Sequence, residues 1–551
     1  MTDQEYYDAG TKAYQRGNYP EAIRLFKLGT DLNGPRCWNA LACCYYQGDG
    51  VAKNLKTAFT YYRKAALLGD AESMFNLGVC YEEGEGTALD VPEAFRWYLK
   101  AAKLGLPKAM GYVGYCYDFG EGVIADQAKA VAWYKKGADE GDPMSLNNLG
   151  ACYKHGDGVI EDLQEAAKLF RQAARKGHLN AMVNLGDALR DGEGTAIDLK
   201  EAGKWYLQAA QLGDGRAMVR IGDFYQEGFA GFPRAPATAF AWYQKAATEG
   251  NSEGMILSAE AYKKGDGVEV DDVKAVGWLQ QAIAQGSRKA KGRLGYFYLT
   301  GKGGLPQDDE MAFACFVTGV EAGDASSLDY YALMIQKGLG TTRDLDRAAY
   351  YFKEAADRGY ADAMVHYADC CFWGKGTKQD LASALHYYEK AAAQGNPTAI
   401  NALGVCYSEG HGVEKSPIQA AIYFQKAAGL GNPLAISNLA FCYREGTGVP
   451  KDLKKATALE KQAFPLLQKE AGDGESNAMV ALATAYALGY GTPASLPLAL
   501  DWLERAAKLN DPIALHTLGA FYQEGIGVNP DEAMAAEYFK KAELAGYLDP
   551  K

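Results

Sequence analysis

Three sets of residues in this sequence have types and spacings that could do chemistry. Glycines recur as Gly-x-Gly, the outline of a loop whose amides can cradle a phosphate. His366 and Cys370 stand one helical turn apart, with His386 further along, a partial ligand set for zinc. Arg, Asn and aromatic side chains recur at matched spacing, and such groups can hold a carboxylate or an extended peptide.

The glycine pairs are too regular to be phosphate sites. Their first members are Gly48, Gly84, Gly120, Gly156, Gly192, Gly228, Gly265, Gly301, Gly338, Gly374, Gly410, Gly446, Gly489 and Gly525, spaced by 36 residues except for two steps of 37 and one of 43. None is followed by Lys-Ser or Lys-Thr at phosphate-loop spacing, and none follows a strand-like run. A closed zinc site needs four ligands, usually in two close pairs. The histidines (155, 178, 366, 386, 411 and 516) are scattered instead, so packing is the reading for His366, Cys370 and His386, and neither metal nor cofactor is expected. No nucleophile with its base and no carboxylate pair breaks the repeat, so no enzyme is expected.

Acidic residues outnumber basic ones, 69 to 57, for a net charge of −12 over 551 residues, with no long basic run to neutralise phosphates. Nucleic acid is therefore an unfavourable partner. No apolar stretch approaches the ~20 residues that span a bilayer, and the opening "MTDQEYYDAG" lacks the order of a secretory signal. A soluble, cytoplasmic protein is expected.

The elements that position these residues follow from the repeat. Before each glycine pair runs a pattern such as "AESMFNLGVCYEEG", apolar at helical spacing and closed by a glycine suited to a left-handed cap; this is helix A. Six residues after the first glycine stands an acceptor side chain, Asn54, Asp90, Asp126, Asp162, Asp198, Asp271, Asp344, Asp380, Ser416, Asp452, Ser495 or Asp531, which can cap the orphan amides of a helix B. Helix B carries Ala, an aromatic pair and Ala-Ala, as in "AFRWYLKAAKLG". Six of the eight tryptophans, Trp97, Trp133, Trp205, Trp242, Trp278 and Trp502, take the helix B aromatic position and read as core. One 36-residue pair cannot bury such faces alone, so neighbouring pairs must stack.

Residues 1–33 lack the glycine pair and show Gly10, Ala13, Tyr14, Gly17, Tyr19, Ala22 and Phe26, which resembles the tetratricopeptide pattern. The remaining units, Leu-Gly-x-x-Tyr, Gly-x-Gly-Val, Asp, then Ala-x-x-aromatic-aromatic-x-Lys-Ala-Ala, resemble Sel-1-like repeats over nearly the whole chain. The resemblance implies an all-α, right-handed superhelical α/α solenoid of about fifteen helix pairs that serves as a non-enzymatic scaffold or adaptor for a protein or peptide partner, without naming one. The expected organisation is a capping pair at 1–33, twelve repeats at 34–464, an insertion at 465–476 and two repeats at 477–551. The 228 copy departs from the pattern with its widened "GFAGFPRAP" loop and no Asp at the cap, and the 301 copy moves its cap to Asp308. In the 43-residue step Pro465 follows a helical run, which predicts a longer, kinked or broken helix. The alternatives in function are a small-molecule or peptidoglycan- or lactam-binding protein, by analogy with secreted relatives, and a self-assembling solenoid in place of a monomer.

Seven of the eleven cysteines, Cys44, Cys80, Cys116, Cys152, Cys370, Cys406 and Cys442, fall four residues before the first glycine, where other copies have Ala188, Ala261, Ala485 or Phe224. A position that takes Ala or Cys is a packing position. Equivalent stacked helices lie ~8–10 Å apart, too far for a disulfide, so reduced thiols are expected.

Helix A positions twelve, eight, five and one before the glycine share a stripe that varies between copies, as a binding face should. Asn76, Asn148, Asn184 and Asn438 occupy the minus-eight position and could bind a peptide backbone, although hydrogen bonding between helices is the stronger alternative. Arg216 and Arg220, with Lys289 and Arg293, could form a cationic patch, against pairing with Asp223, Glu227 and Glu260. Trp373 ends a helix A beside His366 and Asp369, with Tyr296 and Tyr330 at stripe positions in preceding copies. Together they suggest a central groove, unless curvature buries Trp373.

Overall fold

The computed structural model describes residues 1–229 and 231–547. Ala230, in the widened loop of the 228 copy, and the last four residues of the expected 477–551 segment lie outside the described residues. Among the described residues there are thirty helices and no strand, and every helix but one has thirteen residues. They form two compact units, Met1–Glu269 and Val270–Lys551.

Uniform helix length follows from punctuation at both ends. Asp90 caps Val91–Lys103 by accepting from the Glu93 amide, and Asp126, Asp162, Asp198 and Asp271 repeat that bond. Ser495 takes the same position without a side-chain capping bond, so it does not act as the acceptor its type suggested. Ala235 leaves its helix without a side-chain cap, and Asp308 caps one residue late. The A helices have their own caps, which the B-helix pattern did not disclose: Asp70, Asp142, Asp214 and Asp324 accept from the third amide of the following helix.

The glycine pair does two jobs. Gly84, at φ 70°, ends helix Ala71–Glu83 in the left-handed conformation that glycine adopts without penalty. Gly86 lies against the Leu55 carbonyl of the preceding repeat, where a side chain would collide with backbone. One glycine thus ends a helix and the other lets repeats close on each other.

A third glycine, inside helix A, sets the packing within each pair. A Cβ on Gly78 would sit 2.5 Å from the Tyr98 ring, and Gly114 with Tyr134, Gly186 with Tyr206 and Gly404 with Phe424 repeat the geometry. In these four copies the second aromatic of helix B therefore packs against helix A and is buried. The first aromatic is different, which corrects the reading of its tryptophans as core. Of the six, only Trp97 is buried, and the other five stay partly exposed. A cation three residues on covers the ring in several cases, Lys100 over Trp97, Lys136 over Trp133, Lys245 over Trp242 and Arg505 over Trp502. Adjacent side chains on a helix point about 100° apart, so where the second aromatic faces helix A the first falls on the flank.

Within each unit successive A helices touch one another directly, while successive B helices do so at most marginally. The A helices thus form the inner layer of each unit. Small residues make this layer thin: Ser73, Ser145, Ser258 and Ser327 are buried in it, as are the seven periodic cysteines, at 1–5% exposure. The insertion gives one longer helix, Leu453–Gly472, which runs for 20 residues with Pro465 inside it.

Candidate functional site

Across the inner layer the minus-eight residue of one A helix meets the minus-nine residue of the A helix before it, 37 positions earlier. The amide of Asn76 donates to Asn39 Oδ1 at 3.1 Å, Asn184 to Asn147 at 3.0 Å and Asn438 to Asn401 at 3.0 Å. Asn148 accepts from Asn147 at 3.0 Å and so belongs to the same chain of amides. Phe75 and Tyr112 meet at the equivalent rung as an edge-on aromatic pair, ring centroids 4.9 Å apart. These groups clasp neighbouring repeats together.

One rung carries charge. His366 Nδ1 lies 2.8 Å from Asp329 Oδ1, and Asp329 is only 2% exposed. Burial alone would lower the imidazole pKa, but the charge and hydrogen bond of Asp329, with Asp369 and Asp362 nearby, push it up to about 9. His366 is therefore a cation at neutral pH, held by a buried carboxylate. Cys370 is buried, and His386 lies edge-on to Tyr387. Among the described residues no group of three or more His, Cys, Asp or Glu side chains could hold a metal ion.

The arginines are also engaged. Arg216 donates to Asn180 of the preceding A helix at 2.6 Å, and Arg220 Nε donates to Asp187 at 3.2 Å with Asp223 at 3.7 Å. Arg293 donates to the capping Asp324 at 2.8 Å. Lys289 is exposed. Asp369 accepts from the Tyr388 hydroxyl at 2.5 Å, and its burial raises the carboxyl pKa. Trp373 is half-buried on the core, edge-on to Phe372 at 4.7 Å, and the Gly546 backbone lies against its carbonyl.

In the second unit, Tyr296, Tyr330 and His366 come together, from the helices Arg288–Thr300, Ala325–Lys337 and Ala361–Trp373. They line a cleft of about 570 Å³ with Asp329, Asp362 and Lys337. The Tyr296 and Tyr330 rings are 5.7 Å apart, and Tyr330 stacks on Phe316 at 5.2 Å. Part of the lining comes from a place the helix A stripe could not indicate. Asp473 and Glu475, in the turn that follows the elongated helix Leu453–Gly472, are among the lining residues. Arg293, Asp369 and Trp373 are not among the cleft's lining residues, and Asn148, Asn184, Arg216 and Arg220 belong to the first unit.

A Sel1 repeat profile matches the chain fourteen times between residues 39 and 547, leaving residue 288 and residues 464–475 unmatched. Among solved structures, the chain is similar to c5321, described as a protective antigen present in uropathogenic Escherichia coli strains displaying an SLR fold. The identity is 30%, covering 83% of this chain and 96% of that one, with a TM-score of 0.45. It is similar also to a Sel1 repeat protein from Oxalobacter formigenes, at 33% identity over 44% of this chain and 99% of that one, TM-score 0.42. The immunity protein Pa5087 from Pseudomonas aeruginosa matches at 19% identity over 39% and 82%, TM-score 0.29. No curated protein matches the chain.

Proposed function

Since the chain belongs to the Sel1 repeat family, we propose that it is a non-enzymatic scaffold that holds a peptide segment or partner domain on the inner layer of A helices, working in the cytoplasm as a monomer. The observation that carries this reading is the cleft of the second unit, where Tyr296, Tyr330 and His366, from three successive A helices, line one concavity. Elsewhere on the stripe, Asn184, Arg216 and Arg220 bond to the A helix of the neighbouring repeat. Buried aromatic area beside fixed charge is the composition of an interface hot spot. Buried thiols, kept protonated by a raised pKa, suit a reducing compartment.

The test is affinity capture from the native host with the full chain and with Tyr296→Ala/Tyr330→Ala, quantified by mass spectrometry beside a thermal melt of each bait. A partner that is captured by the first and lost by the second, with the helical melt retained, supports the reading. A capture profile identical for both places the binding surface elsewhere.

A further inference from the structure

The largest interruption of the repeat supplies part of the lining of the cleft. The step from Gly446 to Gly489 is 43 residues instead of 36, and the surplus lengthens one B helix to Leu453–Gly472. Seven residues of helix are worth about 10 Å. The extension ends in "EAGDGES", whose Asp473 and Glu475 line the same cleft as Tyr296 and Tyr330.

Glu475 occupies the N-cap of helix Ser476–Leu488 yet makes no side-chain capping bond, unlike Asp70, Asp142 and Asp214 at the same position. Its carboxylate is thus not spent on the helix it precedes. Asp362, another lining residue, accepts a neutral hydrogen bond from Asn396 at 2.9 Å. Among the described residues no ion pair joins Asp362, Asp473 or Glu475 to a cation. The cations of the cleft are Lys337 and His366, and His366 is already matched by Asp329. Three carboxylates therefore face one lysine in a concavity walled by tyrosines, which is complementary to a positive charge on a long apolar stem.

We propose that this cleft seats an arginine or lysine side chain of a basic peptide segment, with Asp473 and Glu475 closing over the charge from the extended helix. The inference rests on the scaffold reading and gives its partner a chemistry. An acidic segment is excluded by the same carboxylates, and the elongated helix makes the preference local to this unit.

Fluorescence anisotropy with the full chain and labelled octa-arginine or octa-glutamate tests it. Octa-arginine is expected to bind with an affinity that falls as salt rises, and octa-glutamate not to bind. Asp473→Asn/Glu475→Gln should weaken octa-arginine about tenfold or more, as loss of charge-assisted bonds does, while Glu389→Gln/Glu504→Gln, exposed acids on B helices, changes it less than about twofold. Both pairs are exposed, and unchanged melts confirm intact folds. Equal weakening by the two pairs, or no binding of octa-arginine at low salt, overturns the proposal. If a host partner is lost with Tyr296→Ala/Tyr330→Ala but retained with Asp473→Asn/Glu475→Gln, the scaffold reading stands and this one falls. If octa-arginine behaves as stated while no groove-dependent partner exists, the cleft stands and the scaffold reading falls.

Discussion

His366 and Asp329 show how one residue pair can join repeats and also respond to pH. The same rung holds Asn184 with Asn147 and Asn438 with Asn401, so the ion pair is a charged substitute for an amide clasp. Because the folded-state pKa is raised to about 9 from the ordinary 6.5, its stabilisation is full below pH 6.5 and is lost as pH rises through 9. After allowance for solvent screening at a partly exposed imidazole, the loss is about 1–3 kcal/mol. The melting temperature should fall between pH 6.5 and 9.5, and the His366 proton resonances should titrate near 9. Asp329→Asn/His366→Asn restores the amide clasp and should flatten that part of the pH profile; an unchanged profile would place the titrating group elsewhere. At Gly78 the constraint is steric. Gly78→Ala puts a Cβ 2.5 Å from Tyr98, and a cost of about 1–3 kcal/mol is expected in a urea titration, as for overpacked cores.

At the scale of the element, punctuation decides where helices begin, and its value differs between positions that look alike in sequence. Asp90 accepts from the Glu93 amide at 3.0 Å, whereas Ser495 makes no capping bond. Asp90→Ala should therefore cost about 1 kcal/mol and Ser495→Ala close to nothing, read as shifts in denaturant midpoint. Equal effects would show that position, and not the hydrogen bond, carries the capping energy. The elongated helix is a second case. Pro465 cannot donate to the carbonyl four residues back, and an interior proline weakens a helix by about 3 kcal/mol when its neighbours do not compensate. Yet the helix continues to Gly472 because Ala463, Leu467 and Ala471 are buried along one side. Pro465→Ala is expected to keep the fold and raise the midpoint for this region in hydrogen exchange.

Across the whole molecule the thiols report on integrity. Ten of the eleven cysteines are buried and Cys43 is partly exposed. Burial pushes thiols such as Cys80, Cys116 and Cys152 up to about 12, so they are protonated and slow to react near neutrality. Alkylation of the folded protein at pH 8 should label Cys43 ahead of the other ten. After denaturation without reductant all eleven should react in intact-mass analysis; protection of an even number would reveal disulfides and an exported protein.

Period, helix pairing, most caps and the all-α class were legible in the sequence because each is set within about forty residues. A glycine that ends a helix, an aspartate that begins one and an alanine stripe that must be covered act on their nearest neighbours, and fourteen copies restate them. The flank position of Trp133 and the clasp between residues 37 apart needed the angle at which helices cross, which composition does not encode. The cleft needed more still. Tyr296 and Tyr330 could be placed on a stripe from spacing alone, but Asp473 and Glu475 reach them from well over a hundred residues along the chain. That proximity is produced by many small rotations between stacked repeats, summed through the second unit, and no single residue specifies the sum.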